Sequence, residues 1–213
     1  MIIDTNLTIF GGTGDLTFRK LLPALYTMDI TGKLPGNSRI VIIGRRDFDN
    51  ASYRQAAREW MEKNSRLPFE EKSYGHFSEK IYYYKMNFSE LSKYEALDRY
   101  YRQNEIRSHL FYYAVAPRFF SVITKGLKMV GGSEEGKVIL EKPFGENLAS
   151  ATVLNKELEA HFGAGQIYRI DHYLGKEMVR NIQAIRFANP IFTDVWNSRY
   201  IESVQISALE DMG

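Results

Sequence analysis

Gly11-Gly12-Thr13-Gly14-Asp15-Leu16 decides how the rest of the sequence is read. The apolar run Leu7–Phe10 precedes it, and a helix-like segment, Asp15–Met28, follows. A glycine-rich turn between a strand and a helix lets backbone approach a pyrophosphate. The start of the helix adds unpaired N–H groups and a favourable dipole. The spacing is GxxG, and Leu16 stands where the usual dinucleotide fingerprint has its third glycine. Taken alone, the loop is equally readable as a tight turn. No Gly-Lys-Ser/Thr follows, which argues against a P-loop.

Outward from the loop, short apolar runs alternate with longer helix-like segments. Strands are expected at Leu7–Phe10, Arg39–Ile43, Ile81–Met86, Leu110–Val115, Val138–Leu140 and Gln166–Ile170. Helices are expected at Asp15–Met28, Ala51–Asn64, Glu90–Glu105, Arg118–Met129 and Asn147–His161, with Gly131–Gly136 a surface loop. Buried strands alternating with helices predict an α/β fold, a Rossmann-type doubly wound parallel sheet over residues 1–170. From Asp171 the pattern changes. A helix over Lys176–Phe187 is followed by Asn189-Pro190 and by an alternating stretch, Ile201–Leu209. That stretch reads as the first strand of a different sheet, so residues 171–213 are expected to open an α+β second domain that breaks off early.

Composition bounds the partners. The chain has 213 residues, 44% hydrophobic and 25% charged, as in an ordinary globular protein. Net charge is +2, from 28 basic and 26 acidic side chains, which gives no global case for nucleic acid or an anionic membrane. Any anion site must be local. The absence of cysteine excludes disulfides, thiolate metal sites and a cysteine nucleophile, and no metal site is expected. The first ten residues lack the basic start and long apolar stretch of a signal peptide, and no segment approaches a membrane span. A soluble, cytoplasmic protein is the expectation.

At the end of the second expected strand, where NAD-selective folds place an acidic residue on the ribose, the chain has Gly44-Arg45-Arg46. A guanidinium there can pair bidentately with a ribose 2′-phosphate. Two solvated arginines at a strand end are the bland alternative. After the glycine loop, Arg45 points to NADP over NAD, while Asp47 leaves NAD possible.

Three further segments carry a family resemblance. The run from Gly11 to Leu25, the strand-end motif Glu141-Lys142-Pro143-Phe144-Gly145, and Arg169-Ile170-Asp171-His172-Tyr173-Leu174-Gly175-Lys176-Glu177 occur in the same order in glucose-6-phosphate dehydrogenases. The third continues as Met178–Asn181 and Arg186–Phe192, so the chain resembles that family over nearly its whole length. The residues suit such a substrate. A phosphorylated sugar needs concentrated positive charge on a nearly neutral surface. His172 and Lys176 are four apart and share a face if the chain there is helical. Tyr173 adds a hydroxyl, and Lys142 stands at a strand's carboxyl end. Singly, each is more readily a structural histidine or a solvated lysine.

The resemblance implies oxidation of the C1 hydroxyl of glucose 6-phosphate by hydride transfer to NADP, the first oxidative step of the pentose phosphate pathway. It implies that Lys142, His172, Tyr173 and Lys176 hold the substrate and that Glu210 reaches a sugar hydroxyl. Lys20 would lie between sugar and nicotinamide, and Asp171 would orient a catalytic histidine. Gly11, Gly12, Thr13, Gly14, Asp15, Leu16, Arg45, Ala114, Val115 and Lys142 would hold the cofactor, with Pro143 helping to fix Lys142. The parent protein would be a homodimer or homotetramer and would run well past Gly213. Two departures stand out: Phe18 replaces a frequent basic residue, and Gly44 stands directly before Arg45 where alanine is usual. None of the four histidines matches the family's base, which lies in a later segment. His76 reads as a polar-loop residue, His109 opens a strand, His161 ends a helix and His172 belongs to the phosphate group. Two alternatives stay open: another NADP-dependent sugar or polyol reductase, and a non-catalytic NADP-binding module.

Overall fold

Strand residues that alternate between two apolar faces bury both sides of a sheet, and that is how this chain folds. The computed structural model describes residues 6–65, 67–145, 147–171 and 176–207. It falls into two compact units, Met1–Ile170 and Asp171–Gly213. The strands of the first are β1 (Asn6–Phe10), β2 (Arg39–Gly44), β3 (Ile81–Lys85), β4 (Leu110–Tyr113), β5 (Lys137–Glu141) and β6 (Ile167–Ile170). They form one sheet in the order β3-β2-β1-β4-β5-β6, and every pair is parallel. This is the dinucleotide-binding strand order, in which the chain reverses direction across the sheet beside its first strand.

The two cores follow from the period of two along each strand. Ile40 and Ile42 of β2 face one side with Leu7, Ile9, Ile81 and Tyr83; Val41 and Ile43 face the other with Phe10, Phe111, Tyr113 and Leu140. The first face is covered by α1 (Leu22–Ile30), α2 (Asn50–Asn64) and α3 (Glu71–Glu79), through Leu22, Tyr26, Tyr53, Met61 and Phe77. The second is covered by α4 (Tyr94–Gln103), α5 (Phe120–Leu127) and α6 (Leu148–Glu159), through Tyr94, Leu97, Ile123, Leu127 and Leu158. The sheet is therefore wound on both faces.

Several local expectations need correction. α3 was not expected, and His76 lies on it rather than in a loop; Gly75 weakens its helical signal, but Tyr74 and Phe77 bury one turn's face. The helix expected over Glu90–Glu105 splits into a 3₁₀ turn at Leu91–Lys93 and then α4. Gly131–Gly136 is not simply a surface loop. It contains a 3₁₀ turn, Ser133–Glu135, whose wholly buried Ser133 donates to the Leu127 carbonyl at 2.6 Å.

In the second unit the described elements are α7 (Glu177–Ala188) and α8 (Pro190–Val195). The strand expected over Ile201–Leu209 does not form over residues 201–207, and residues 208 and 209 lie outside the described part. A strand is held by its ladder, and among the described residues of this unit no second strand offers one. Val204 and Ile206 accordingly stand exposed. Among the described residues no helix is long and apolar enough to cross a membrane.

Candidate functional site

The glycine loop leaves β1 at the point where its neighbours β2 and β4 lie on either side, and its glycines are fixed by that crowding. Gly11 has φ 89°, and an added Cβ would fall 2.3 Å from the Ala114 carbonyl oxygen and 2.7 Å from Val115 Cγ1. A Cβ at Gly12 would fall 2.0 Å from Ile42 Cγ2. Both residues donate N–H to the Ile43 carbonyl, at 3.2 and 2.9 Å. Glycine is thus required at 11 and 12 for the loop to seat between β2 and β4, before any ligand is considered. The Gly11 carbonyl is committed as well, accepting from Gly14 N–H at 2.9 Å and Thr17 Oγ1 at 3.1 Å.

The helix begins at Asp15 and runs through a π-type turn, Thr17–Leu21, into α1. Phe18 N–H reaches the Gly14 carbonyl at 3.3 Å. The N–H groups of the preceding turn have no helical carbonyl behind them and make the end of the helix receptive to an anion. Asp15 forms an exposed i,i+4 pair with Arg19, at 3.6 Å. Phe18 has a structural reason to depart from a basic residue: it is buried against Tyr53 and Trp60, with ring centroids 5.3 and 5.9 Å away. Lys20, two residues on within the π turn, is exposed.

A cavity of about 450 Å³ opens over this loop. Gly11, Thr13 and Gly14 line it from the loop, Gly44, Arg45 and Arg46 from the end of β2, Phe88 from beyond β3 and Ala114 from beyond β4. Gly44 is pinned by close approach, since a Cβ there would meet Thr13 Cγ2 and the Tyr83 hydroxyl oxygen, each at 2.8 Å. The Tyr83 hydroxyl in turn donates to the Arg46 carbonyl at 2.8 Å, which holds the two-arginine turn against the sheet. Both arginine side chains remain exposed. Asp47 does not line the cavity; its carboxylate pairs with Lys85 at 2.9 Å.

The structure therefore gathers Gly11, Thr13, Gly14, Arg45 and Ala114 around one cavity, while Gly12 is buried beneath it and Val115 packs beside Gly11. Arg46 and Phe88 belong to the lining and were missed as site residues. Arg46 was legible as the second half of Arg45-Arg46, whereas Phe88, beyond β3, gave no local signal. Lys142 is exposed just past the carboxyl end of β5 and joined to Pro143 by a cis peptide bond. Next to it, Glu141 accepts a hydrogen bond from the Tyr112 hydroxyl, whose pKa is pushed far up by burial and by that carboxylate.

Asp171 and Lys176 are the described candidates of the second unit. Asp171 is half-buried. Lys176 has extended backbone, φ −68° and ψ 133°, and immediately precedes α7. The helical face expected to join His172 and Lys176 is thus absent at the Lys176 end. His172, Tyr173 and Glu210 lie outside the described residues.

Comparison with known proteins matches the geometry. The family model described as glucose-6-phosphate dehydrogenase, NAD binding domain, covers residues 8–181. A glucose-6-phosphate 1-dehydrogenase of Bacillus subtilis (strain 168) is 39% identical over 215 residues, and one of Dickeya dadantii (strain 3937) is 37% identical over 209. These alignments cover 97% and 98% of this chain but only 43% and 42% of the relatives, so the chain spans less than half their length. The crystal structure of glucose-6-phosphate 1-dehydrogenase from Mycobacterium avium superposes with TM-score 0.79 at 29% identity, over 92% of this chain and 42% of that one. A glucose-6-phosphate dehydrogenase in complex with its substrate glucose-6-phosphate gives 0.78 at 31% identity, with the same coverage. With a parallel sheet in dinucleotide-binding order, a glycine loop at its reversal point and these relatives, the chain belongs to the glucose-6-phosphate dehydrogenase family, through its nucleotide-binding domain.

Proposed function

We propose that this chain is the cofactor-binding part of an NADP-dependent glucose-6-phosphate 1-dehydrogenase, with residues 1–170 as the nucleotide domain and residues 171–213 opening the substrate domain. The observation that carries the reading is the shared cavity, where a helix N-terminus and a glycine loop meet two arginines with no acidic residue in the lining. Those residues fit the group. The first helical turn would take the pyrophosphate, Arg45 and Arg46 the ribose 2′-phosphate, and Ala114 and Val115 the side nearest β4. Bound there, NADP would supply the hydride acceptor.

The chain's own residues would hold and orient the sugar. Lys142, His172, Tyr173 and Lys176 would bind chiefly its phosphate, Glu210 a hydroxyl, and Lys20 would stand between sugar and nicotinamide. Asp171 would position a histidine base supplied by the rest of the protein, holding its ring so that the C1 hydroxyl proton has an acceptor. In a full-length dehydrogenase carrying these residues, His172→Ala or Lys176→Ala should raise the KM for glucose 6-phosphate at least about tenfold, for one lost charge-assisted contact, with little change in the KM for NADP. Turnover of unphosphorylated glucose should change little. Equal losses with both sugars would refute the phosphate assignment and favour a reductase of another sugar class.

A further inference from the structure

Four buried side-chain polar atoms lack a hydrogen-bond partner among the described residues: Asn6 Oδ1, Ser38 Oγ, Ser65 Oγ and His109 Nδ1. Three of them sit together in the topology. Asn6 begins β1, Ser38 directly precedes β2 and His109 directly precedes β4, and these are three neighbouring strands. All lie at the amino end of the sheet, opposite the glycine loop. A buried polar atom without a partner is costly, so their grouping singles out this end of the sheet.

The same end is hollow and basic. A cavity of about 260 Å³ is lined by Asn6, Asn37, Arg39, Glu105, Arg107 and Ser108. A second hollow shares Asn37 and Arg39 with it and also takes in Ser38, while a third shares Glu105 and Arg107. Arg39 is anchored: Nη1 donates to the Asn104 carbonyl, and the guanidinium carbon lies 5.9 Å from the Tyr82 ring centroid. Arg107 is exposed, and among the described residues neither arginine pairs with a carboxylate. Both arginines line a common hollow, Arg39 anchored and Arg107 exposed, an arrangement suited to a planar or tetrahedral oxyanion. Glu105, held at φ 56°, adds one acceptor to the lining. It selects against a bare anion and for one that also carries an O–H donor.

We propose that the amino end of the sheet holds a second ligand site, separate from the cofactor cleft, for a small oxyanion with a hydroxyl donor: a hydrogen phosphate group or a hydroxycarboxylate. The volume is too small for a dinucleotide. The ligand's O–H would give the orphaned Asn6 Oδ1 its donor; Ser38 lines only the adjoining hollow, and His109 lines neither.

The test is an amide NMR titration of the 213-residue chain with saturating NADP present, so that the cofactor cleft is filled. Inorganic phosphate should shift the amides of Asn6, Ser38, Arg107 and Ser108 saturably, and sulfate at equal ionic strength should do so far more weakly. A parallel arm with lactate distinguishes the two sources, since the tighter of phosphate and lactate names the group. Arg107→Ala should weaken binding about tenfold or more, the loss of a charge-assisted pair, while Arg45→Ala leaves it unchanged. Because Arg107 is exposed, the variant should keep the dispersed spectrum of the folded chain. Shifts confined to residues 13–16, a response that never saturates, or equal affinity in Arg107→Ala would overturn the proposal.

Discussion

At the scale of single residues, the candidate site rests on two arginines and a few absent Cβ atoms. Arg45→Ala should weaken NADP binding by about 1.5–3 kcal/mol, the worth of a charge-assisted contact, and leave NAD nearly unchanged. Titration calorimetry with both nucleotides checks this, and equal weakening would sink the 2′-phosphate assignment. Asp47 does not compete for the ribose in the described arrangement, because it turns to Lys85. The glycines make a different prediction. Gly11→Ala forces a Cβ to 2.3 Å from a backbone oxygen at positive φ and should cost about 2 kcal/mol or more in denaturant unfolding. Gly36→Ala, where a Cβ meets nothing within 4 Å, should stay within about 0.5 kcal/mol of the parent. Similar losses at both positions would mean that the loop is not packed as described.

At the scale of elements, helix ends obey local rules and sheet ends obey tertiary ones. Asp49 caps α2 by accepting from Ser52 N–H at 2.7 Å, and Asn147 caps α6 by accepting from Ser150 N–H at 3.0 Å. Both caps act within three residues of the helix they start. His109, at the start of β4, is set by its surroundings. It is buried, with ring centroids 5.4 Å from Phe111 in parallel stack and 5.0 Å from Tyr101. Burial lowers its pKa below 6.5, against smaller opposing effects of Asp98, Glu134 and the Gly131 backbone. His161, beside Ser133 Oγ at 3.1 Å, is lowered by burial and by Lys128, with Glu134 opposing. As pH falls, the unfolded chain takes up these protons first, so folded stability declines from about pH 6.5 downward. Each histidine can contribute up to about 1.4 kcal/mol per pH unit over its window. Denaturant unfolding at pH 7.5 and 5.5 should show a smaller acid loss in His109→Phe than in the parent. An unchanged loss would show that His109 titrates normally.

At the scale of the whole molecule, the family's NAD binding domain spans residues 8–181, and on the proposed reading binding and turnover should separate. The 213-residue polypeptide should bind NADP measurably by calorimetry. With glucose 6-phosphate it should show essentially no NADPH formation if the base lies in a later segment, as the family resemblance implies, since a missing general base costs about 10²–10⁴-fold. Turnover near that of an intact dehydrogenase would place the base within these residues, with His172 the first suspect. By itself the sequence determined the parallel sheet, the glycine loop and Arg45 at a strand end, because a period of two, a glycine turn and a strand-end cation are local patterns, while the family resemblance rested on three motif segments between Gly11 and Glu177. It did not determine α3, where packing of Tyr74 and Phe77 outweighs a central glycine. Nor did it determine the fate of residues 201–207, where alternating residues have no ladder to join. Why Phe18 is not basic and why Phe88 borders the cleft were also left to tertiary structure. So were the orphaned polar atoms that Asn6, Ser38 and His109 bring to one end of the sheet. In each case the deciding neighbour is far along the chain, and burial, pairing and close approach exist only once the fold has brought it near.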